Sequence, residues 1–364
     1  MEYNGHGIIY TPVAIFTMAN ELILLTGATG FLGHRVLVLA LKAGYRVRCA
    51  IRSAKGIDKI LSTKSVKEIG LLTRKISWVI VPDITVPGAY DEAVVDVQYI
   101  IHVASPVGDV RTWGDSQTLS DDEIFVKPAV AGAIGMLESA AAHSPTLKRI
   151  VVTSSIVAIF PIPYFQGVKP PEDQVFNADS RLETPVALYA PGLAYHASKI
   201  AALNESEAWM KKRNPKFDMI NIFPAWIWGI NEFAQKADDL MGGSNAALLK
   251  ALSGTEAKVP INTAGVSVHD CAQAHVLALQ PNIEGNQAFI TGRLEALEEA
   301  NGIAKKEFPE AFAAGVFSET CRQATTRIPQ DTERTKNVLG LELRPFEDIV
   351  GEVAGQYWEL WKKN

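Results

Sequence analysis

The sequence has few of the features that mark extracellular, membrane or nucleic-acid-binding proteins. Its three cysteines, Cys49, Cys271 and Cys321, are far apart and odd in number, which fits neither a disulfide framework nor a metal cluster. The net charge of -5 comes without a long run of like charges, so no surface for nucleic acid or an anionic membrane is expected. The apolar stretch 7–16 is short and interrupted by Pro12, so it predicts neither a signal peptide nor a membrane span. We therefore expect a cytoplasmic protein with small-molecule partners, and the oligomeric state stays open.

The remaining composition is that of an ordinary globular protein. Apolar residues make up 48% and charged residues 21% of 364 residues, enough for one large α/β domain with a second lobe or for two domains. A methionine at position 18 precedes the first strand-like run as if it were a start of its own. Residues 1–19 are therefore predicted to be an N-terminal extension with little part in the chemistry.

Short β-type apolar runs alternate with longer helical stretches through the first half of the chain, which is typical of βαβ units that build a parallel sheet. Strands are predicted at 22–25, 46–51, 77–81, 99–103, 149–153 and 218–223. The clearest helices are predicted at 31–43, 128–142, 195–212 and, near the C-terminus, 345–361. The pattern predicts a doubly wound parallel Rossmann sheet with a smaller, discontinuous C-terminal lobe. We assign 20–228 plus 266–292 to the cofactor domain and 229–265 plus 293–364 to the substrate lobe.

A glycine-rich turn joins the first predicted strand to the first helix. Gly27 permits the tight turn, Gly30 lets the backbone approach a pyrophosphate, and Gly33 allows the helix to pack closely on the strand. The free N–H groups and the dipole of the helix attract phosphate. The turn therefore predicts a dinucleotide site that also includes Thr29, Phe31 and Leu32, with a purely structural turn as the competing interpretation.

The end of the second strand indicates which dinucleotide binds. NAD-selective sites carry an acidic residue about 20 positions after the turn, whereas a basic residue accommodates a 2′-phosphate. Here the second strand is followed by Arg52, with Lys59 in the next helix as a second cation. The sequence thus predicts NADP(H), unless Arg52 is merely a solvated surface charge.

A tyrosine and a lysine four residues apart, Tyr195 and Lys199, share one face of a predicted helix. An ammonium beside a phenol lowers the tyrosine pKa from about 10, so Tyr195 is a candidate general acid for carbonyl reduction. Ser155 follows the strand 149–153 and brings a hydroxyl to the carboxyl edge of the sheet, where such folds bind ligands. These three residues form the predicted catalytic group.

Further motifs accompany the glycine turn and the tyrosine–lysine pair, at 81–84, 102–106, 127–132, 152–155, 267–270 and 274–279. With them the sequence resembles the extended short-chain dehydrogenases/reductases of the NAD-dependent epimerase/dehydratase superfamily. Within that superfamily it resembles the group of dihydroflavonol reductases, cinnamoyl-CoA reductases and fungal aldehyde and ketone reductases.

The resemblance implies a role for each matching residue. Ser155 would orient the substrate carbonyl, Tyr195 would donate the proton, and Lys199 would bond the nicotinamide ribose and tune the tyrosine. Ser155 is preferred over its neighbour Ser154. The remaining cofactor contacts implied are Asp83 and Ile84 at the adenine, Val103, Ala104, Ser105 and Thr153 along the strand ends, and Pro224, Ala225 and Ile227 over the carboxamide.

Several positions depart from the group. Gly135 stands where relatives often have an asparagine, which argues against a proton relay through that helix. Phe160 replaces a polar residue that grips flavonoid hydroxyls in dihydroflavonol reductases, and the Tyr-Cys-Tyr-Gly-Lys type signature of cinnamoyl-CoA reductases is missing. Ser154 and Ser155 also stand where sugar-nucleotide dehydratases carry Asp-Glu. We therefore expect a more apolar ketone or aldehyde as substrate.

Aromatic residues and histidines near these motifs have two interpretations each. Phe160 and Trp226 are predicted to contact the substrate, although aromatic residues beside strand ends, such as Trp228, are often core. His269 and His275 lie near Asp270 and Cys271 at a spacing that matches no standard metal site, so no metal is expected.

The predicted function is NADPH-dependent reduction of a small, apolar or aromatic ketone or aldehyde to an alcohol. The alternatives are a dihydroflavonol or cinnamoyl-CoA type reductase, an NADP-linked epimerase, and a non-catalytic NADP-sensing protein.

Overall fold

A computed structural model of the protein describes residues 20–105, 122–166, 168–186 and 193–363, so the predicted extension 1–19 lies outside the described residues. The strands are β1 (Leu22–Thr26), β2 (Arg46–Ile51), β3 (Ile76–Ile80), β4 (Tyr99–His102), β5 (Arg149–Thr153), β6 (Asp218–Pro224), β7 (Trp226–Trp228), β8 (Ala257–Asn262), β9 (Ala264–Ser267), β10 (Gln287–Thr291), β11 (Arg293–Leu294) and β12 (Gln323–Thr326). The helices are α1 (Phe31–Lys42), α2 (Lys55–Leu61), α3 (Lys64–Glu68), α4 (Lys127–His143), α5 (Ala194–Arg213), α6 (Asn245–Leu252), α7 (Val268–Leu277), α8 (Ala300–Glu307), α9 (Pro309–Ala313), α10 (Glu333–Leu339) and α11 (Phe346–Trp361).

Within the described chain, seven strands form a parallel sheet in the order β10-β6-β5-β4-β1-β2-β3. Helices α1 and α7 pack against one another on one face, and α4 and α5 do so on the other. The predicted doubly wound Rossmann fold is thus confirmed. The strand order reverses between β1 and β4, and ligands of such sheets bind at the carboxyl ends of the strands beside this reversal.

Strand β1 shows why the sheet lies at the centre. All five of its residues are buried, as expected for a parallel strand covered on both faces. Ile23 and Leu25 belong to the core formed with α1 and α7, whereas Leu22 and Leu24 belong to the core formed with α4. Successive side chains of β1 therefore point to opposite faces of the sheet and belong to two separate apolar cores.

A third apolar core lies among later segments of the chain. Trp228, Leu248 and Val350 are wholly buried in it, and α6, α8, α9 and α11 supply most of its side chains. Strands β7, β9 and β11 form a small sheet beside it, and β8 pairs with β12. These segments fall largely within the predicted substrate lobe, whose boundaries stay a prediction.

Helix α4 is rich in small apolar residues. With the turn that precedes it, 122–143 is long and apolar enough to cross a membrane by length and composition, the one such helix in the described ranges. In the fold, Met136, Leu137 and Ala140 pack it into the core below the sheet.

The predicted central strands and long helices agree with the structure to within one residue at each end. Strand β10 was not predicted. It has five residues and follows α7 where the regular βαβ alternation has ended, and its buried Phe289 and Ile290 place it at the sheet edge beside β6.

Candidate active site

The glycine turn is built as its sequence predicts. Gly27 has a φ of +78°, and a Cβ there would lie 2.9 Å from the Ala104 backbone nitrogen. A Cβ on Gly33 would lie 2.1 Å from the Gly27 carbonyl oxygen, so α1 approaches the turn too closely for any side chain. Gly30 is exposed, and a Cβ there would meet only the Gly27 oxygen, at 3.3 Å. The fold itself therefore requires Gly27 and Gly33, whereas Gly30 keeps the backbone open to a ligand.

Helix α1 begins at Phe31 with its first N–H groups free of a side-chain cap and with no acidic residue in its first turn. Such a terminus satisfies a bound phosphate through its backbone donors and its dipole. Leu32 is buried behind it, while Thr29 and Phe31 are half-buried at its rim. These residues fit the diphosphate of a dinucleotide.

The two cations predicted to bind a 2′-phosphate both follow β2. Arg52 is exposed directly after β2, and the nearby Asp83 is influenced by its charge. Lys59 donates a hydrogen bond to the Thr29 carbonyl oxygen at 2.9 Å, and its ammonium lies 4.1 Å from the centroid of the Phe233 ring. That both cations face the adenosine end of a dinucleotide stays a prediction.

The predicted adenine contacts lie beyond β3. The Asp83 carboxylate accepts hydrogen bonds from the backbone and hydroxyl of Thr85, and these bonds lower the pKa of Asp83. The side chain of Ile84 lies against Gly132 of α4, where a Cβ would be 3.4 Å from Ile84 Cδ1. The carboxylate of Asp83 is thus held within its own turn.

The end of β4 is fixed by a residue that sequence reasoning missed. Thr26 Oγ1 accepts a hydrogen bond from the Ala104 backbone at 2.9 Å and lies 3.0 Å from His102 Nδ1. This contact ties the segment of Val103 and Ala104 to β1 immediately before the glycine turn. The signal in the sequence is a hydroxyl residue at a buried strand end.

The predicted catalytic side chains come together at the carboxyl ends of β4 and β5. Tyr195 and Ser155 share a hydrogen bond, and Lys199 Nζ lies 5.7 Å from the Tyr195 ring centroid. Lys199 also donates to Ser105 Oγ at 3.3 Å. Ser155 and Lys199 are both 8% exposed. A hydroxyl, a phenol and an ammonium therefore meet in one largely buried place.

The expected pKa of Tyr195 is wrong for this structure. Burial raises the pKa of Tyr195, and the hydrogen bond with Ser155 offsets this only in part. Burial also lowers the pKa of Lys199 to about 8. Desolvation sets the direction of both shifts, because each group loses hydration of its charged form. Tyr195 accordingly stays a protonated phenol at neutral pH.

The two adjacent serines occupy different positions. Ser155 begins a short 3₁₀ turn, in which its Oγ accepts from the Val157 backbone at 3.3 Å, and it reaches Tyr195. Ser154 lines a cavity of about 30 Å³ next to Lys199, together with Ser206 and Asn221. The choice of Ser155 as the partner of Tyr195 agrees with this geometry.

Thr153 is committed to a neighbour on α7. His275 Nδ1 lies 2.7 Å from the Cys271 carbonyl oxygen, and its Nε2 lies 2.7 Å from Thr153 Oγ1. Burial lowers the pKa of His275 to about 4, so the neutral ring donates from Nδ1 and accepts the Thr153 proton at Nε2. The Thr153 hydroxyl can therefore only accept a hydrogen bond from a cofactor.

The segment after β6 holds the residues for which the resemblance implies contacts to the carboxamide. Pro224 ends β6, and the Ala225 backbone donates to the Thr291 carbonyl oxygen at 2.9 Å. Trp226 is 36% exposed, whereas Trp228 is wholly buried and donates to the Ser244 carbonyl oxygen. Ile227 is half-buried against the core. Trp226 is thus the aromatic residue of this segment that is free to contact a ligand.

The expectation that Phe160 contacts the substrate is wrong for this structure. The Phe160 side chain is wholly buried, with ring centroids 5.2 Å from Phe176 and 6.4 Å from Phe165. Phe165 is half-buried and lies 4.4 Å from the ring of His196, the neighbour of Tyr195. Phe160 therefore packs behind Phe165, where its ring is part of the apolar core.

Metal ligands do not converge here. In the ranges that the structure describes, no group of three or more His, Cys, Asp or Glu side chains is placed to hold an ion.

Comparisons with known proteins show which family this chain is similar to. The family model of the NAD dependent epimerase/dehydratase family matches residues 23–292. Ketoreductase CTB6 of Cercospora nicotianae is 37% identical, over 95% of this chain and 98% of its own length. The NAD-dependent epimerase/dehydratase ALT6 of Alternaria alternata is 34% identical, over 90% of this chain and 95% of its own. The structure of Gre2 from Candida albicans in complex with NADPH has a TM-score of 0.77 at 21% identity, covering 93% of this chain and 99% of that one.

Proposed function

Because this chain belongs to the NAD-dependent epimerase/dehydratase family, we propose that it is an NADPH-dependent carbonyl reductase. The observation that carries the proposal is the hydrogen-bonded pair of Ser155 and Tyr195 with Lys199 beside it. The curated relative named a ketoreductase supports the same class of reaction. We assign the cofactor domain to 20–228 plus 266–292 and the substrate lobe to 229–265 plus 293–364.

NADP(H) fits the residues around the glycine turn. The open backbone at Gly30 and the uncapped start of α1 suit the diphosphate, and Arg52 with Lys59 suits a 2′-phosphate. When bound, NADPH supplies a hydride to the carbonyl carbon. The segment of Pro224, Ala225 and Ile227, and that of Val103 to Ser105, would hold the nicotinamide half.

The protein's own groups handle the carbonyl oxygen. Ser155 would donate a hydrogen bond that orients the carbonyl, and Tyr195 would give its proton to the oxygen as negative charge develops there. The Lys199 ammonium would stabilise the resulting phenolate until solvent reprotonates it. A protonated Tyr195 at neutral pH suits reduction, since the residue starts each turnover as an acid.

The substrate proposed is a small apolar or aromatic ketone or aldehyde. Trp226 offers an exposed aromatic face, and Tyr164 and Phe165 form an apolar wall near His196. Neither position offers a cluster of charges for a sugar nucleotide or a CoA thioester.

The test is a panel of aromatic, polyketide-like and aliphatic ketones and aldehydes, each with NADPH and with NADH. A reductase oxidises one NADPH for each alcohol formed. An NADP-linked epimerase would convert substrate without net loss of NADPH, and a sensor would bind NADPH without turnover across the panel. Either of those results would overturn the proposal, and equal efficiency with NADH would overturn the cofactor preference.

A further inference from the structure

A short segment of the substrate lobe reaches across to the cofactor domain. We call residues 229–234, which follow β7, the strap. At the lobe side, Asn245 exchanges two hydrogen bonds with the backbone of Gly229, and Gln356 exchanges two with the backbone of Asn231. The strap is therefore anchored to α6 and α11.

The far end of the strap is bound to the cofactor domain. Glu232 accepts hydrogen bonds from the backbone and hydroxyl of Ser65 at the start of α3, and its Oε1 lies 3.4 Å from Arg35 Nη2 on α1. The Glu232 side chain is 11% exposed. A largely buried carboxylate with this many donors fixes the strap firmly.

The next residue, Phe233, lies between the two cofactor-domain helices that border the glycine turn. Its ring centroid is 4.9 Å from that of His34 on α1 in an edge-to-face arrangement. On its other side, the Lys59 ammonium lies 4.1 Å from the same centroid. Lys59 thus has two fixed contacts, the Phe233 ring and the Thr29 carbonyl oxygen, and a third N–H direction remains for an external acceptor.

We propose that Phe233 is a positioning residue that sets the Lys59 ammonium at the glycine turn and so contributes to the choice of NADPH over NADH. The proposal rests on the proposed NADPH preference. A lysine side chain loses considerable conformational freedom when it binds an anion, and an ammonium already held against an aromatic face has lost part of it beforehand. The benefit applies to a ligand that carries the 2′-phosphate and not to one that lacks it.

The strap also joins this cation to the substrate lobe. Because Phe233 and Glu232 belong to a segment anchored on α6 and α11, the position of the Lys59 ammonium depends on how that lobe sits against α1 and α3. Part of the selectivity for the cofactor is therefore supplied from outside the cofactor domain.

The test compares four variants for binding and KM of NADPH and of NADH. Phe233→Leu keeps the apolar contact but removes the aromatic face. It should weaken the binding of NADPH by roughly threefold to fivefold, the size of a cation–π contact at an exposed lysine, and leave the binding of NADH unchanged. Phe233→Trp should retain the wild-type ratio of NADPH affinity to NADH affinity. Lys59→Met should lower this ratio, and the double variant with Phe233→Leu should lower it no further.

Phe312→Leu is the matched control, since Phe312 is a partly buried ring of the proposed substrate lobe that packs edge-to-face on Phe317 and lies outside the strap. It should leave both cofactors unaffected. If Phe233→Leu weakens NADPH and NADH equally, the residue serves packing only and the inference is wrong. The inference is also wrong if Lys59→Met lowers the ratio while Phe233→Leu does not. A wild-type protein without NADPH preference would instead overturn the proposed cofactor and this inference with it.

Discussion

At the scale of single residues, the candidate site depends on how burial changes two ionisable groups. Lys199 is 8% exposed and its pKa falls to about 8, whereas the pKa of Tyr195 rises. Both shifts favour the uncharged form because water no longer hydrates the charge. At neutral pH the pair is therefore an ammonium beside an un-ionised phenol, which is the combination that proton donation to a carbonyl requires.

The pKa of Lys199 predicts a pH dependence. The lysine is an ammonium below pH 8 and a neutral amine above it, so the stabilisation of a tyrosinate in the transition state is lost as the pH rises through that value. The rate of reduction at saturating NADPH and substrate should therefore fall on the alkaline side of about pH 8. A profile of kcat that stays flat to pH 10 would show that the charge of Lys199 does not contribute.

The sequence predicted which side chains come together better than it predicted their environment. Helix spacing and strand position, which are local properties of the chain, indicate that Tyr195, Lys199 and Ser155 lie close to one another, as the structure has them. The raised pKa of Tyr195 depends on desolvation by the surrounding fold. The burial of Phe160 depends on contacts such as that with Phe176, which lies 16 residues further along the chain. Such long-range packing has no signal in the spacing of residues.

At the scale of elements, the junction of β1 and α1 is the most constrained part of the cofactor site. Helix α1 lies so close to the turn that a Cβ on Gly33 would be 2.1 Å from the Gly27 carbonyl oxygen. On α4, by contrast, a Cβ on Gly135 would meet no atom within 4 Å. Replacement by alanine is therefore expected to have opposite effects at Gly33 and at Gly135.

Gly33→Ala should destabilise the protein by about 1–3 kcal/mol and weaken cofactor binding, because α1 must move away from the turn. Gly135→Ala should be neutral or stabilise by up to about 1 kcal/mol, because alanine loses less backbone entropy in a helix. Denaturant unfolding and NADPH titration of both variants check this. A Gly33→Ala protein as stable as Gly135→Ala would mean that the turn tolerates a wider separation than the structure has.

Elements with regular hydrophobic spacing were predictable, and those defined by tertiary pairing were not. Strands β1 to β6 and helices α1, α4, α5 and α11 follow from periodicity, turn residues and length. Strands β7, β11 and β12 have only two to four residues, and each is stabilised mainly by its partner, as with β11 against β9 and β12 against β8. The strap was missed for the same reason, since nothing local in residues 229–234 indicates its contacts with α1 and α3.

At the scale of the whole molecule, buried imidazoles control the response to acid. In the described part of the chain, burial lowers the pKa of five histidines to about 4, namely His34, His102, His196, His269 and His275. Each is neutral in the folded protein and gains a proton near pH 6.5 once unfolded. Their contribution to stability is present above pH 6.5 and is lost as the pH falls toward 4.

The free energy of unfolding should therefore fall by on the order of a few kcal/mol between pH 7.5 and pH 5.5. Three carboxyls among the described residues oppose the trend, since burial raises the pKa of Glu295 to about 7 and also raises the pKa of Asp270 and of Glu352. Their protonation on acidification stabilises the fold, but they stand against five imidazoles. Urea unfolding across this range is the measurement. Stability that is constant or rises toward pH 5.5 would contradict it.

The central claim is that Tyr195 delivers the proton in an NADPH-dependent carbonyl reduction. The most direct measurement compares the wild type with Tyr195→Phe, a change that removes one hydroxyl. NADPH oxidation is followed with a ketone that the wild type reduces, and NADPH binding is measured by fluorescence. We expect Tyr195→Phe to have a kcat about 10²–10⁴-fold lower, with NADPH binding unchanged. A variant that retains the wild-type rate would contradict the claim.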